Sequence, residues 1–314
     1  MSRQDKQQGF ERIKRILTYI HQNIEEPLSV AELAEQSCWS RWQLQRVFQE
    51  QTGSTVANYV REIKLSHAAE QLLNGESRMI DIAFSLGFSS EISFSRAFKQ
   101  MFGLGPRAYK QRGQRMGLRK PLEAPRVAAH LQHPALSPVE ISRLVEVRIE
   151  TRPVSRLYGV SGDITGLLSP TPNFQQQVPK IWQQLYNRFD NQPSLMAQFT
   201  GQASVYGIVD TTAMTAEGDQ IRYWAALEPQ SEALLATLEK HRLQQVDIPA
   251  QTYAVVEHKG PAIALAQTVA WFIAEWLPES GYRGLDGYEL EVYPWDYDMH
   301  SQAAKMAYWI PVTR

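Results

Sequence analysis

SRWQLQRVFQEQTG, Ser40–Gly53, decides how the first third of this chain is read. A serine opens the stretch and a glycine closes it, the residue types that cap the two ends of a helix. Leu44, Val47 and Phe48 fall at i, i+3 and i+4 and make one apolar face. Arg41, Trp42, Gln45 and Arg46 make another face. Long donors suit a helix entering the major groove, where Arg reaches guanine O6/N7 and Gln reaches adenine N6/N7. Upstream, SVAELAEQSCW reads as a short amphipathic helix and a tight turn, which completes a helix-turn-helix pattern.

The pattern recurs. With the chain slid by 50 residues, EISFSRAFKQMFG falls on RWQLQRVFQEQTG. Arg46 then meets Arg96, Leu44 meets Phe94, Phe48 meets Phe98, Gly53 meets Gly103 and Tyr59 meets Tyr109. The leading helix MIDIAFSLGF matches the first copy through Leu33-Ala34 and Ile82-Ala83, with a one-residue slip in the turn. Between the copies, Val60, Ile63, Leu65, Ala68, Ala69, Leu72 and Leu73 suit a buried connecting helix. Amphipathic helix pairs are common, so one match carries little; two at fixed offset, joined by one helix, carry much more. FERIKRILTYIHQNI adds a first helix with Ile13, Ile16, Leu17 and Ile20 inward.

On these motifs, residues 10–120 resemble the DNA-binding domain of the AraC family of transcription regulators. The resemblance implies two recognition helices in successive major grooves on one side of the duplex, about one helical turn apart. It favours base contact for Trp42, Gln45 and Arg46, and phosphate contact for Arg41; packing is the competing reading of Trp42. The second copy offers Ser90, Glu91, Ser93 and Arg96 toward DNA. It is less well equipped, and Glu91 either accepts from cytosine N4 or points away. Lys99, Arg107, Lys110 and Arg112 are phosphate candidates, with solvated surface as the alternative for each.

The chain of 314 residues holds 43% hydrophobic and 21% charged residues, as an ordinary soluble two-domain protein does. No apolar run approaches the ~18 residues of a membrane span, and the N-terminus lacks a signal-peptide core, so a cytoplasmic location is expected. The single cysteine, Cys38, excludes an internal disulfide and reads as a small buried residue. Net charge is −1, but residues 1–120 carry 18 Lys+Arg against 12 Asp+Glu, and the remainder carries 14 against 21. A basic head suits a phosphate backbone; an acidic tail suits a neutral or cationic partner. Pro121, Pro125, Pro134 and Pro138 mark 113–144 as a linker between a domain at 1–112 and one at 145–314.

Beyond 145 the period changes. A strand-like stretch at 145–163, a helix at 174–189 and strands ASVYGIVDTT and QIRYWAALE are followed by the same order: QQVDIPAQTYAVVEHKG, helix AIALAQTVAWFIAEWL, then YELEVYPW and KMAYWIPV. The fold class expected is multidomain: an all-α tandem helix-turn-helix domain, then an α+β domain of two βαββ repeats. IPAQTYAVVEHKGP, WLPESGY, LEVY and YWIPV, in this order, are similar to the gyrase-inhibitor-like effector domain. That resemblance implies a cavity lined by aromatic rings around a strand-borne glutamate, mapped here to Glu291 with Tyr293. Glu289 alternates onto the same face of the strand. A carboxylate in an apolar pocket is tolerated when protonated, hydrogen-bonded or paired with a cation, and aromatic faces add cation–π attraction. Tyr206, Trp224, Tyr308 and Trp309 on strands, and Trp182, Tyr186 and Trp271 on helices, are candidate lining residues; core packing is the alternative for each ring.

Together these readings describe a transcription regulator, an activator by resemblance, with promoter DNA, RNA polymerase and a small apolar or cationic effector as partners. No membrane, cofactor or metal is expected. Two other functions compete: a pocket in which Glu291 with Tyr308 or Tyr293 hydrolyses a reactive molecule, as some stand-alone relatives do, and a mainly nonspecific DNA binder.

Overall fold

The computed structural model describes residues 5–75, 77–122, 145–165, 173–189, 204–212, 214, 220–260, 264–298 and 300–314. Most of the expected linker, 123–144, lies outside these. The chain divides into two compact units. A helical unit comprises residues 6–37 and 47–131; a sheet unit comprises 1–5, 38–46 and 132–314.

Among the described residues, seven helices carry the first part: α1 Asp5–Gln22, α2 Val30–Glu35, α3 Arg41–Thr52, α4 Val56–Asn74, α5 Met79–Ser85, α6 Glu91–Phe102 and α7 Pro106–Arg112. Helices α3 and α6 start and stop at the expected offset because the same local chemistry recurs. Ser40 Oγ accepts from the Gln43 amide (3.2 Å) while Gln43 Oε1 accepts from the Ser40 amide (3.1 Å), a reciprocal cap. Ser90 Oγ accepts from the Ser93 amide at 3.1 Å. Gly53 and Gly103 end the two helices at φ +73° each. Phe48 packs edge-on to Tyr59 at 5.5 Å between ring centroids, and Phe98 to Tyr109 at 5.4 Å. The slip in the turn is visible too: the left-handed residue is Cys38 (φ +61°) in one copy and Gly87 (φ +80°) in the other. Cys38 is therefore a half-exposed turn residue rather than a buried core one.

The helical core follows the expected stripes. Ile13, Ile16, Leu17 and Ile20 of α1 are buried, as are Val60, Ile63, Leu65, Ala68, Ala69 and Leu72 of α4. One buried cation had no sequence signal. Lys64 Nζ donates to the carbonyls of Glu26 (2.8 Å) and Leu86 (2.9 Å), tying together the chain segments that precede α2 and α6. Burial pushes its pKa down.

Among its described residues the sheet unit contains nine strands: β1 Val147–Arg152, β2 Ser155–Thr165, β3 Ser204–Asp210, β4 Gln220–Leu227, β5 Gln244–Ile248, β6 Gln251–Lys259, β7 Arg283–Gly284, β8 Tyr288–Pro294 and β9 Lys305–Thr313. Eight run in the order β1-β6-β9-β8-β3-β4-β2-β5, and β7 pairs with β9; every pairing is antiparallel. The stretches 145–163 and 244–260, expected as single strands, are each two. They break at Pro153 and Pro249, which lack the N–H a ladder needs. Because β5 and β6 are joined by only two residues yet lie near opposite ends of the order, the sheet curls.

Helices α8 (Phe174–Asn187) and α9 (Glu232–Lys240) bury Ile181, Leu185, Leu234 and Leu238 against Val205, Val209, Tyr223 and Leu227 of the sheet. Helix α9 was not anticipated, although Ser231 caps it through the Leu234 amide (3.2 Å). A third helix, α10 (Leu265–Trp271), continues through a π-helical turn, Phe272–Trp276. Its Thr268 hydroxyl meets His258 Nδ1 of β6 at 2.9 Å.

Candidate functional site

The register between β3 and β8 positions the acidic site. Gly207 pairs with Glu291 and Val209 with Glu289, while β9 brings Tyr308 opposite Glu291. Side chains alternate along strands, so Glu289, Glu291 and Tyr293 share one face, together with Tyr223 of β4. Glu291 Oε2 accepts from Tyr223 Oη at 2.6 Å and from Tyr293 Oη at 3.0 Å. Trp182 Nε1 of α8 donates to Tyr223 Oη at 3.0 Å, and its ring meets Tyr293 edge-on at 5.8 Å. Glu289 Oε2 accepts from Tyr308 Oη at 2.6 Å.

Space for this network comes from Gly207. A Cβ there would overlap both Tyr223 Oη and Glu291 Oε2. Burial raises the pKa of both acids from the ordinary carboxylate value, Glu289 to about 7, with the tyrosine hydrogen bonds acting in the opposite direction. The same burial, with the adjacent carboxylates, holds the phenols of Tyr223, Tyr293 and Tyr308 well above their ordinary value, so they are donors throughout the physiological range.

Five of the expected lining residues are thus brought together: Glu289, Glu291, Tyr293, Tyr308 and Trp182. Tyr206 and Trp224 are not. Both stand on the opposite face, in a separate apolar cluster with Leu157, Ile208 and Tyr253. Tyr206 Oη donates to Glu228 (2.9 Å) under the Arg152 guanidinium. The reason is parity: Tyr206 pairs with Val292 and Trp224 with Ile208, one residue out of step with the acids. Tyr223 and Gly207 went unnamed in the sequence reading, because only register shows that they point at Glu291.

The two repeated helices, α3 and α6, differ. In α6, Ile92 is 75% exposed and shares a face with exposed Arg96 and Lys99. Ser90 and Ser93 are engaged at the helix start, Ser93 Oγ donating to Ser90 O at 2.8 Å. Glu91 is half-buried, and Arg107, Lys110 and Arg112 are exposed. In α3, by contrast, Trp42, Gln45 and Arg46 are only 6%, 1% and 8% exposed. Within the sheet unit, Trp42 joins the apolar cluster of α8 and α9, and Arg46 lies close enough to Glu289 to oppose its raised pKa. Arg41 Nε donates to Asp286 Oδ2 at 2.6 Å.

A tandem helix-turn-helix, followed in the chain by an antiparallel domain with a buried acid ringed by phenols, defines a DNA-binding protein with a small-molecule module. Residues 33–112 match the helix-turn-helix domain family, and residues 145–313 match the GyrI-like small molecule binding domain. The chain belongs to the AraC family of transcription regulators and carries a GyrI-like domain. Multiple antibiotic resistance protein MarA of Escherichia coli K12 is 35% identical over 98 residues, 31% of this chain and 77% of MarA. Regulatory protein SoxS of the same strain is 36% identical over 100 residues, 32% of this chain and 94% of SoxS. The solved structure of SAV2435 bound to tetraphenylphosphonium is similar at 18% identity and a TM-score of 0.40, over 54% of this chain and 94% of that one. Among the described residues, no helix is long and apolar enough to cross a membrane.

Proposed function

We propose that this chain is a sequence-specific transcription regulator, an activator that recruits RNA polymerase, and that a small lipophilic cation bound at Glu291 controls it. The domains run 1–112 and 145–314, with 113–144 between them. Two βαββ repeats, each opening strand bent at a proline, make up the second domain; a sheet order unchanged on exchanging the two halves supports this. DNA contacts come from Arg41, Trp42, Gln45 and Arg46 on α3, and from Ile92, Arg96 and Lys99 on α6, with Ser90, Ser93 and Glu91 at the helix start.

The observation that carries the effector reading is the state of Glu291. It is a partly buried carboxylate with two phenol donors, and the Trp182 indole stands behind them, edge-on to Tyr293 and donating to Tyr223. A carboxylate removed from water is costly unless compensated, and a cation among aromatic faces supplies the missing charge. Isothermal titration with benzyltriphenylphosphonium, and with neutral triphenylphosphine oxide as the shape control, puts this to experiment. The cation is expected to bind wild type at least tenfold more tightly than Glu291→Gln, and the oxide to make no such distinction. Equal affinity of the cation for both proteins removes Glu291 from the site.

A further inference from the structure

The N-terminal half of α3 is held by an arrangement that a DNA phosphate would otherwise supply. Asp286 Oδ2 accepts from Arg41 Nε at 2.6 Å, and Asp286 Oδ1 accepts from the Trp42 backbone N–H at 3.2 Å. One carboxylate therefore takes both the guanidinium and a free amide at the helix start, the pair of donors that binds phosphate at helix N-termini. Around it the fit is close. The Gly284 N–H donates to Cys38 O at 3.1 Å, and Trp39 Nε1 donates to Ile273 O at 2.9 Å. A Cβ on Gly284 would overlap the Gln43 side chain. One turn further along α3, Arg46 lies near enough to Glu289, three residues beyond Asp286, to favour its charged form. Trp42 completes the contact from the apolar side. None of this is matched on α6, whose Ile92, Arg96 and Lys99 stay exposed.

We infer that Asp286 and Glu289 act as an internal substitute for DNA phosphates, clasping the first recognition helix so that it reads DNA only after release. The inference rests on the reading of α3 as a recognition helix. DNA and the two carboxylates then compete for one set of donors, and free protein engages a duplex first through α6. Glu289 lies two residues from Glu291 on the same strand face, so the clasp and the effector site share β8.

The experiment uses the full chain and its single cysteine. Cys38 sits in the turn before α3, and its carbonyl takes the Gly284 N–H, so its alkylation by a fluorescent maleimide reads release. Rates are measured for wild type, Asp286→Ala and Gly284→Ala. Separately, duplexes enriched from a random pool by each protein are titrated against all three. Both variants are expected to label at least fivefold faster than wild type and to bind an enriched duplex at least tenfold more tightly. Footprints should extend over two major-groove segments where wild type alone protects one. Tighter DNA binding is a gain that an unfolded variant cannot produce. Equal affinities across the three proteins, or faster labelling with unchanged or weaker DNA binding, overturn the clasp while leaving the recognition reading intact. Failure of every protein to enrich a sequence overturns the recognition reading, and the clasp with it.

Discussion

Glu289→Gln tests the electrostatics of the site most directly. Glu289 is 3% exposed, and burial raises its pKa from an ordinary 4.5 to about 7. The folded protein therefore keeps a proton there that the unfolded chain has already released between these two values. Stability from this group is fully present below pH 4.5 and falls as pH rises through about 7. At about 1.36 kcal/mol per pKa unit, the loss is about 3 kcal/mol. Glutamine keeps an oxygen that can accept from Tyr308 Oη and has no charge to bury. The quantity to follow is the difference in unfolding free energy between variant and wild type, from urea titrations monitored by tryptophan fluorescence at pH 5, 6, 7 and 8. That difference should climb by about 2–3 kcal/mol in favour of the variant across the series, nearly all of it between pH 5 and 7, and level off above. A difference that stays flat across these pH values would show that Glu289 titrates like a solvated carboxylate, and the account of the site would fail.

Two further perturbations follow from the packing. Gly207→Ala drives a methyl into the Tyr223–Glu291 contact, so it should cost about 1–3 kcal/mol in urea unfolding and abolish the heat of phosphonium binding; full retention of binding would refute the placement of Gly207 beneath the acid. Lys64→Met keeps the aliphatic stem but strands the carbonyls of Glu26 and Leu86, at a cost of about 1–3 kcal/mol in the same measurement; a neutral outcome would mean that water replaces the ammonium without loss.

Much of the helical unit was legible in the chain because its signals are local. Ser40 and Ser90, Gly53 and Gly103, and the i, i+3, i+4 stripes all act within one or two turns of helix, and the recurrence at fixed offset multiplies their weight. Lys64 shows where that legibility stops. Its partners are backbone carbonyls 38 and 22 residues away, which no periodicity marks. In the sheet unit, Glu291 and Tyr293 could be paired because two residues apart on a strand is itself a local relation. Tyr206 and Trp224 were set beside them wrongly, because the face a strand residue occupies relative to a distant strand depends on register, and a shift of one residue reverses it.

The duplicated helix-turn-helix and the change to strands after 145 are carried by the amino-acid sequence itself, and the resemblance to the gyrase-inhibitor-like domain marks the acid of the second domain. The first two follow from spacing, capping or turn chemistry within a short span. Tertiary structure alone decided that Tyr223 and Gly207 complete the acid's surroundings, and that Asp286 and Glu289 face Arg41 and Arg46. Those pairings join residues about 70 to 245 positions apart. An amphipathic pattern shows that a helix has a polar face; only the folded chain shows what meets it.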